Sequence, residues 1–255
     1  MDNFDSALPG LKPVLEKLLA EPKKIDHILL RKNFTGSEIN ELQNLCQKNG
    51  IPIQRVDSHV LDKICRRGGL AKGVAHQGVV ARLSDVSYVD CATLLPSVAN
   101  SPLPLILALD EIQDPGNLGT LARTLYALGG VGLLVSEHTA RLGPAARKCA
   151  AGALEMLPIA KHANFAEALD QLELAGLTIY AAEMKNPKTH NAFTSSLLLP
   201  AVLLLGNEAH GIRPHIRKRC HALIHIPQAR TFDSLNVAQA GAILMGLMAR
   251  QHFGH

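Results

Sequence analysis

Beyond Pro104 the chain alternates apolar runs with helical stretches, and that alternation restricts its fold more than any other feature. The runs LILALD, VGLLVS, LTIYAAE, AVLLLG and ALIHIP are apolar enough to be buried on both faces. Between and after them lie NLGTLARTLYALGG, PAARKCAAGAL, FAEALDQLELAG and SLNVAQAGAILMGLMAR, each with helical composition. Strands alternating with helices predict an α/β domain with a parallel sheet covered on both faces.

Three segments join such a run to a polar loop: LDEIQDPGNLGTLARTLYALGG from Leu109, LLLGNEAHGI from Leu203, and HIPQARTFDSLNVAQAGAILM from His225. In the first, Asp114-Pro115-Gly116-Asn117 is a turn sequence, and Asn117 is placed to cap the helix that follows. Arg123 is the only charged residue between Asp114 and Glu137, so its guanidinium must reach water, a carboxylate or a phosphate. In the second, Glu208 is the only acid between Glu183 and Asp233, and it follows a strand end, where open α/β sheets bind ligands. A loop Glu paired with Arg213 or Arg217 is the plainer alternative. Gly206 would let a ligand approach the backbone, and Gly211 would permit a positive φ. In the third, either Asp233 or Ser234 can serve as an N-cap, while Asn236 falls in the first turn of an apolar helix and needs a partner.

The N-terminal part reads as a small α/β unit over residues 8–83: helix LKPVLEKLLAE, strand KIDHILLR, helix SEINELQNLCQKNG, strand IPIQRV, helix SHVLDKIC, a basic loop and strand VVARL. Ser37 is a plausible cap and Gly50 a helix-ending glycine. Residues 84–103 read as a linker, and 104–255 as the second domain. The net charge of +4 permits a nucleic-acid partner without demanding one. Basic residues gather at Arg31-Lys32, at Arg66-Arg67 with Lys72, at Arg147-Lys148, and at Arg213 with Arg217-Lys218-Arg219; for any one cluster a solvated surface is the ordinary reading. Trp is absent and aromatics make up 4%, which argues against a platform that stacks single-stranded bases.

Other chemistry finds little support. The five cysteines form no CxxC pair and read as reduced thiols. Cys220 and His221 are neighbours on an alternating strand and point to opposite faces, which disfavours a zinc site with His225. There is no GxSxG elbow or GxxxxGK[ST] loop, and the glycine pair around Val131 follows a helix. No run is long enough to span a bilayer and the N-terminus lacks a secretory signal, so a cytoplasmic protein without membrane association is expected.

In order and spacing the three segments closely resemble the signature motifs of the SpoU/TrmH family of S-adenosylmethionine-dependent RNA ribose 2'-O-methyltransferases. The resemblance implies a trefoil-knotted (SPOUT-type) parallel-sheet methyltransferase domain, a homodimer, and S-adenosyl-L-methionine bound without a metal. It makes Asn117, Arg123, Glu208, Ser234 and Asn236 catalytic-site residues, and assigns the cofactor to Gly206, Asn207, Ile226, Pro227 and Leu235. Ala229 stands where the family often has Gly. The N-terminal GLKPVLEKLL and GVAHQGVVARL resemble, more loosely, the RNA substrate-binding domain of the subgroup that methylates a guanosine ribose in the peptidyl-transferase region of bacterial 23S rRNA. That similarity implies that Arg66, Arg67, Lys72 and His76 lie near ribosomal RNA. Two rivals stay open: a tRNA 2'-O-methyltransferase of the same family, and a non-catalytic RNA-binding protein on the same fold.

Overall fold

A computed structural model of the chain describes residues 7–67, 76–83, 87–230 and 234–254. It divides into two compact units, Met1–Tyr88 and Val89–His255.

The first unit runs β1 (Ala7–Pro9), α1 (Leu11–Ala20), β2 (Ile25–Arg31), α2 (Ser37–Lys48), β3 (Ile53–Val56), α3 (Ser58–Arg67) and β4 (Val79–Leu83). Its sheet has the order β1-β4-β2-β3, with β2 and β3 parallel and the other pairs antiparallel. The alternation of β2 distributes its side chains to two cores. Ile28 and Leu30 pack with Leu11, Val14 and Leu18 of α1 and Ile39 and Leu42 of α2, whereas Leu29 packs with Leu61 and Cys65 of α3. The expected elements are all present, and β1 is an addition that pairs Ala7 with Arg82. Ser37 is not the cap of α2: Gly36 holds that position without a side-chain bond, and Ser37 is the first helical residue.

The second unit continues through β5 (Tyr88–Val89), α4 (Leu95–Val98), β6 (Leu105–Asp110), α5 (Pro115–Ala127), β7 (Gly132–Ser136), α6 (Pro144–Ala150), α7 (Ala153–Met156), β8 (Ile159–His162), α8 (Phe165–Leu174), β9 (Thr178–Ala182), β10 (His190–Asn191), β11 (Ala201–Gly206), α9 (Pro214–Arg217), β12 (Ala222–His225) and α10 (Val237–Phe253). The sheet order is β10-β12-β9-β11-β6-β7-β8-β5, and every pairing from β10 to β8 is parallel. Those strands therefore end at one edge. From β6 the chain moves outward through β7 and β8, then crosses to the other side, where β11 returns beside β6. The β6–β11 seam is thus a topological switch point, the place where open α/β sheets bind ligands.

The stretch expected to be a linker is more structured than its prolines suggest. Cys91–Leu94 form a tight helical turn leading into α4, where Pro96 occupies a first-turn position. Cys91 and Leu94 join the main core, and Leu103 is fully buried. Three apolar side chains that can be buried outweigh a composition that looks loop-like.

All five cysteines are free thiols. Burial pushes Cys46 and Cys220 up to about 12 and Cys91 to about 11, and Cys65 is raised by burial and by the neighbouring Asp62 carboxylate. Since the thiolate is the reactive form, Cys46, Cys91 and Cys220 should react with iodoacetamide at pH 8 on the order of 100-fold more slowly in the folded protein than in urea, and Cys65 should be slowed as well. Mass-spectrometric labelling rates for each cysteine test this; rapid native labelling of Cys46 would contradict it.

Candidate active site

The site is built on the pairing of β11 with β6, which runs in register from Ala201–Leu105 to Gly206–Asp110. Both chains leave the sheet side by side, so the first two motif loops start as neighbours. The third arrives on α10, which packs over α5 and β11. Gly241 makes this approach possible, because a Cβ there would collide with Leu121 and lie 2.8 Å from Leu205 Cδ1.

From these starting points the loops lock together through hydrogen bonds. Asn207 Nδ2 donates to Glu111 O at 2.8 Å, while its Oδ1 accepts the backbone N–H groups of Ala209 and His210. Glu208 reaches across to the first loop, accepting from Gln113 N at 3.1 Å, Asp114 N at 3.4 Å and Asn117 Nδ2 at 3.1 Å. Asn117 Oδ1 in turn accepts from Asn236 Nδ2 at 3.0 Å. Asn236 Oδ1 caps α10 by accepting from Ala238 and Gln239. One continuous chain, Glu208–Asn117–Asn236, therefore ties all three motifs.

Several expectations change in detail. Asn117 is not the cap of α5: Asp114 is, through Gly116 N at 2.7 Å, with Pro115 in the first turn. That arrangement releases the Asn117 side chain for Glu208. Asn236, not Ser234, caps α10, and Asp233 lies outside the described residues. Gly211 has the positive φ expected of it, +68°. Gly206 is required by the chain itself, since a Cβ would stand 2.5 Å from Ile212 N and 2.6 Å from Gly211 O. Glu208 does not pair with Arg213 or Arg217. Those side chains are engaged elsewhere, Arg213 with Asp110 and Glu111 and Arg217 with Glu183 at 2.8 Å.

Arg123 stands apart from this network. It is six residues beyond Asn117 on α5, about 9 Å further along the axis and about 120° around it. Its side chain is exposed and has no hydrogen bond or ion pair among the described residues. Ser234 is likewise exposed, and it has no hydrogen bond among the described residues. Ile226, Pro227 and Leu235 are half-buried beside the loops, and among the described residues no hydrogen bond uses the backbone of Ile226 or Leu235. Half-buried backbone with unused polar groups is what a small polar ligand such as S-adenosylmethionine needs.

A sequence profile of the SpoU rRNA Methylase family matches residues 104–246. The chain belongs to the SpoU rRNA methylase family. A second profile, RNA 2'-O ribose methyltransferase substrate binding, matches residues 7–89 of this SpoU methylase. The 23S rRNA (guanosine-2'-O-)-methyltransferase RlmB of Haemophilus influenzae is 32% identical over 246 residues, covering 96% of this chain and 97% of that protein. Among solved structures, an AdoMet-bound rRNA methyltransferase from Sinorhizobium meliloti is 26% identical with a TM-score of 0.58, covering 97% of this chain and 87% of that one. A structure described for 2-OH methylation of C/U34 on tRNA shares the fold, at 24% identity and a TM-score of 0.53, over 60% of this chain and 99% of that one.

Sequence reasoning passed over the residues that hold the SpoU loops in place. Asp110 ends β6 fully buried, and its carboxylate accepts Arg213 N at 3.1 Å and Arg213 Nε at 2.8 Å. Glu111 follows at φ +62°, an uncommon conformation for a non-glycine residue, held by its N–H on Ser136 Oγ at 2.9 Å. The available signal was an acid closing the otherwise apolar run LILALD, with no basic residue near it in sequence. Among the RNA expectations, Arg66 is exposed, with Nε on Asp62 O at 3.3 Å. The side chain of Arg67 and the whole of Lys72 lie outside the described residues. His76 is less available than expected, with Nδ1 accepting Gly78 N at 3.0 Å and Nε2 3.3 Å from Asp62. For the metal reading, no cluster of three His, Cys, Asp or Glu side chains is found among the described residues. His221 instead accepts Ile179 N through Nδ1 at 3.1 Å.

Arg213→Ala would leave the Asp110 carboxylate buried without its partner. It should destabilise the protein by roughly 3 kcal/mol in urea unfolding. Adding Asp110→Asn should recover part of that loss, because the double variant no longer buries a lone charge. Additive losses in this double-mutant cycle would show that the pair is not coupled.

Proposed function

We propose that this protein transfers the methyl group of S-adenosylmethionine to the ribose 2'-oxygen of a guanosine in 23S rRNA. The observation that carries the reading is the hydrogen-bonded chain Glu208–Asn117–Asn236, which joins three motif loops at the switch point of the sheet. The name of the Haemophilus relative, matched over nearly the full length of both chains, supports the substrate. A tRNA substrate has less support, since the fold neighbour described for tRNA matches only 60% of this chain. A non-catalytic RNA-binding role has less still, because Asn117, Arg123, Glu208, Ser234 and Asn236 all remain.

S-adenosylmethionine supplies a methyl carbon already activated on a sulfonium, so the protein's main task is to hold the ribose oxygen in line with it. Gly206, Asn207, Ile226, Pro227 and Leu235 would hold the cofactor, using the backbone groups of Ile226 and Leu235 that no hydrogen bond among the described residues engages. Arg123 has an exposed guanidinium, unpaired among the described residues, on the helix that carries Asn117. It would orient the ribose and offset phosphate charge, with Ser234 donating to the same phosphate or hydroxyl. A guanidinium is a poor proton acceptor, so Arg123 acts by position and charge. Residues 8–83 would bind RNA and 104–255 would carry the chemistry.

The same reading includes a homodimer, a trefoil-knotted course for the C-terminal segment and a cytoplasmic site of work, where ribosomes are built. Ile243 of α10 and Tyr126 of α5, 38% and 45% exposed, supply apolar surface for the dimer. No helix among the described residues is long and apolar enough to cross a membrane.

Two experiments test this. Calorimetry should detect S-adenosylmethionine binding that EDTA does not change, and mapping of 2'-O-methyl groups in rRNA should lose one guanosine signal when the gene is deleted. No lost position would overturn the substrate, and binding only with added metal would overturn the cofactor site. Separately, Arg123→Ala should reduce single-turnover methylation on the order of 100-fold, with little change in melting temperature or cofactor affinity. Arg123→Lys should restore only a small part, since a point charge cannot reproduce two directed donors. An Arg123→Ala protein with wild-type turnover would remove this residue from the site.

A further inference from the structure

At the end of β2 the N-terminal unit carries a cationic ledge that the motif site does not use. The chain turns there through Arg31-Lys32-Asn33-Phe34, with Phe34 N donating to Arg31 O at 3.2 Å and Asn33 at φ +51°. The turn brings the Arg31 guanidinium over the Phe34 ring, 5.0 Å from its centre. The ring is seated on Gly78, where a Cβ would come within 3.0 to 3.4 Å of three ring carbons, and Gly78 has a φ of +79°. Beneath it, His76 holds Gly78 N. From the adjacent strand, Arg55 reaches Phe34 O with Nη1 at 3.4 Å.

Among the described residues the guanidiniums of this ledge have no compensating carboxylate. Arg31 and Arg55 are both exposed, and among the described residues neither meets a carboxylate. Nearby Lys32 is offset by Asp57 at 3.1 Å. In the second unit the three arginines of the densest basic run are paired as well, with Arg213 on Asp110, Arg217 on Glu183 and Arg219 on Asp170. A guanidinium seated over an aromatic ring can still stack on a base and direct its donors to a phosphate. RNA presents both groups wherever an unpaired base is splayed from its backbone.

We infer that the Arg31–Phe34–Arg55 ledge is where the N-terminal unit grips RNA, taking a backbone phosphate between the two guanidiniums and an unpaired base against the outer face of Arg31. His76 is then a positioning residue acting through Gly78 and Phe34. The assignment rests on the proposal that the substrate is RNA.

The test uses the full-length protein and a fluorescently labelled transcript of 23S rRNA. The double variant Arg31→Ala/Arg55→Ala should weaken binding on the order of ten-fold and flatten its dependence on salt. KM for the RNA should rise by the same factor, with kcat and S-adenosylmethionine affinity within two-fold of wild type. Phe34→Leu keeps an apolar side chain on Gly78 while removing the ring, and should weaken binding several-fold with an unchanged salt slope. Lys48→Ala, at the far end of α2, removes one exposed charge and should leave affinity within two-fold. Wild-type affinity in the double variant, an equal loss in Lys48→Ala, or a fall in kcat at unchanged KM would each overturn the ledge. A wild-type protein that binds the transcript through the ledge but methylates no rRNA would overturn the proposed activity instead.

Discussion

The in-register pairing of β6 with β11 is the constraint from which the rest of the site follows. With Gly206 opposite Asp110, two loops remote in sequence leave the sheet as neighbours. Pairing alone would leave them free to diverge. The buried Asp110 carboxylate prevents this by binding both the backbone and the side chain of Arg213, just after the second loop. A charge with no exposure to water is tolerated only with such partners, so geometry and stability are tied to the same contact. Ile216, fully buried on α9, and the Arg217–Glu183 pair hold the other end of that helix against the sheet.

Within this frame the polar groups are satisfied by one another and not by solvent alone. Glu208 accepts from three donors of the first loop, and Asn117 passes the connection to Asn236, which also closes the N-terminus of α10. Each amide uses both of its ends, so a change at any member disturbs its neighbours. The left-handed backbone at Glu111 belongs to the same economy. It turns the chain sharply after β6 and presents its carbonyl to Asn207.

The sheet, its helices and the three loops were legible because strand-length apolar runs and helical stretches report burial directly. Legibility failed where local sequence understates tertiary context. IAKH, which forms β8, is short and half polar, and β10 is only two residues long. Caps were placed one to three residues away from where they act; at α5 this is because Asp114 and Asn117 are both good capping residues and only the position of Glu208 decides between them. The Asp110–Arg213 pair spans 103 residues of sequence, and no spacing rule reaches that far.

Charge was the least legible property of all, and for one reason. A sequence displays every arginine alike, whereas the fold sorts them into those that hold the structure and those left over. The densest run, Arg217-Lys218-Arg219 with Arg213, resembles a nucleic-acid footprint, yet its three arginines are spent on Glu183, Asp170 and Asp110. Arg31, Arg55 and Arg123, with Arg66, Arg230 and Arg250, are the exposed arginines without carboxylate partners among the described residues. An unpaired guanidinium keeps its full charge and directed donors for a phosphate, while a paired one has already exchanged them for an internal contact. Sorting by pairing therefore says more about where RNA binds than counting basic residues. Two of the unpaired positions differ in kind: a ledge buttressed by Phe34 that suits gripping, and an arginine on α5, the helix of Asn117, that suits the reacting nucleotide.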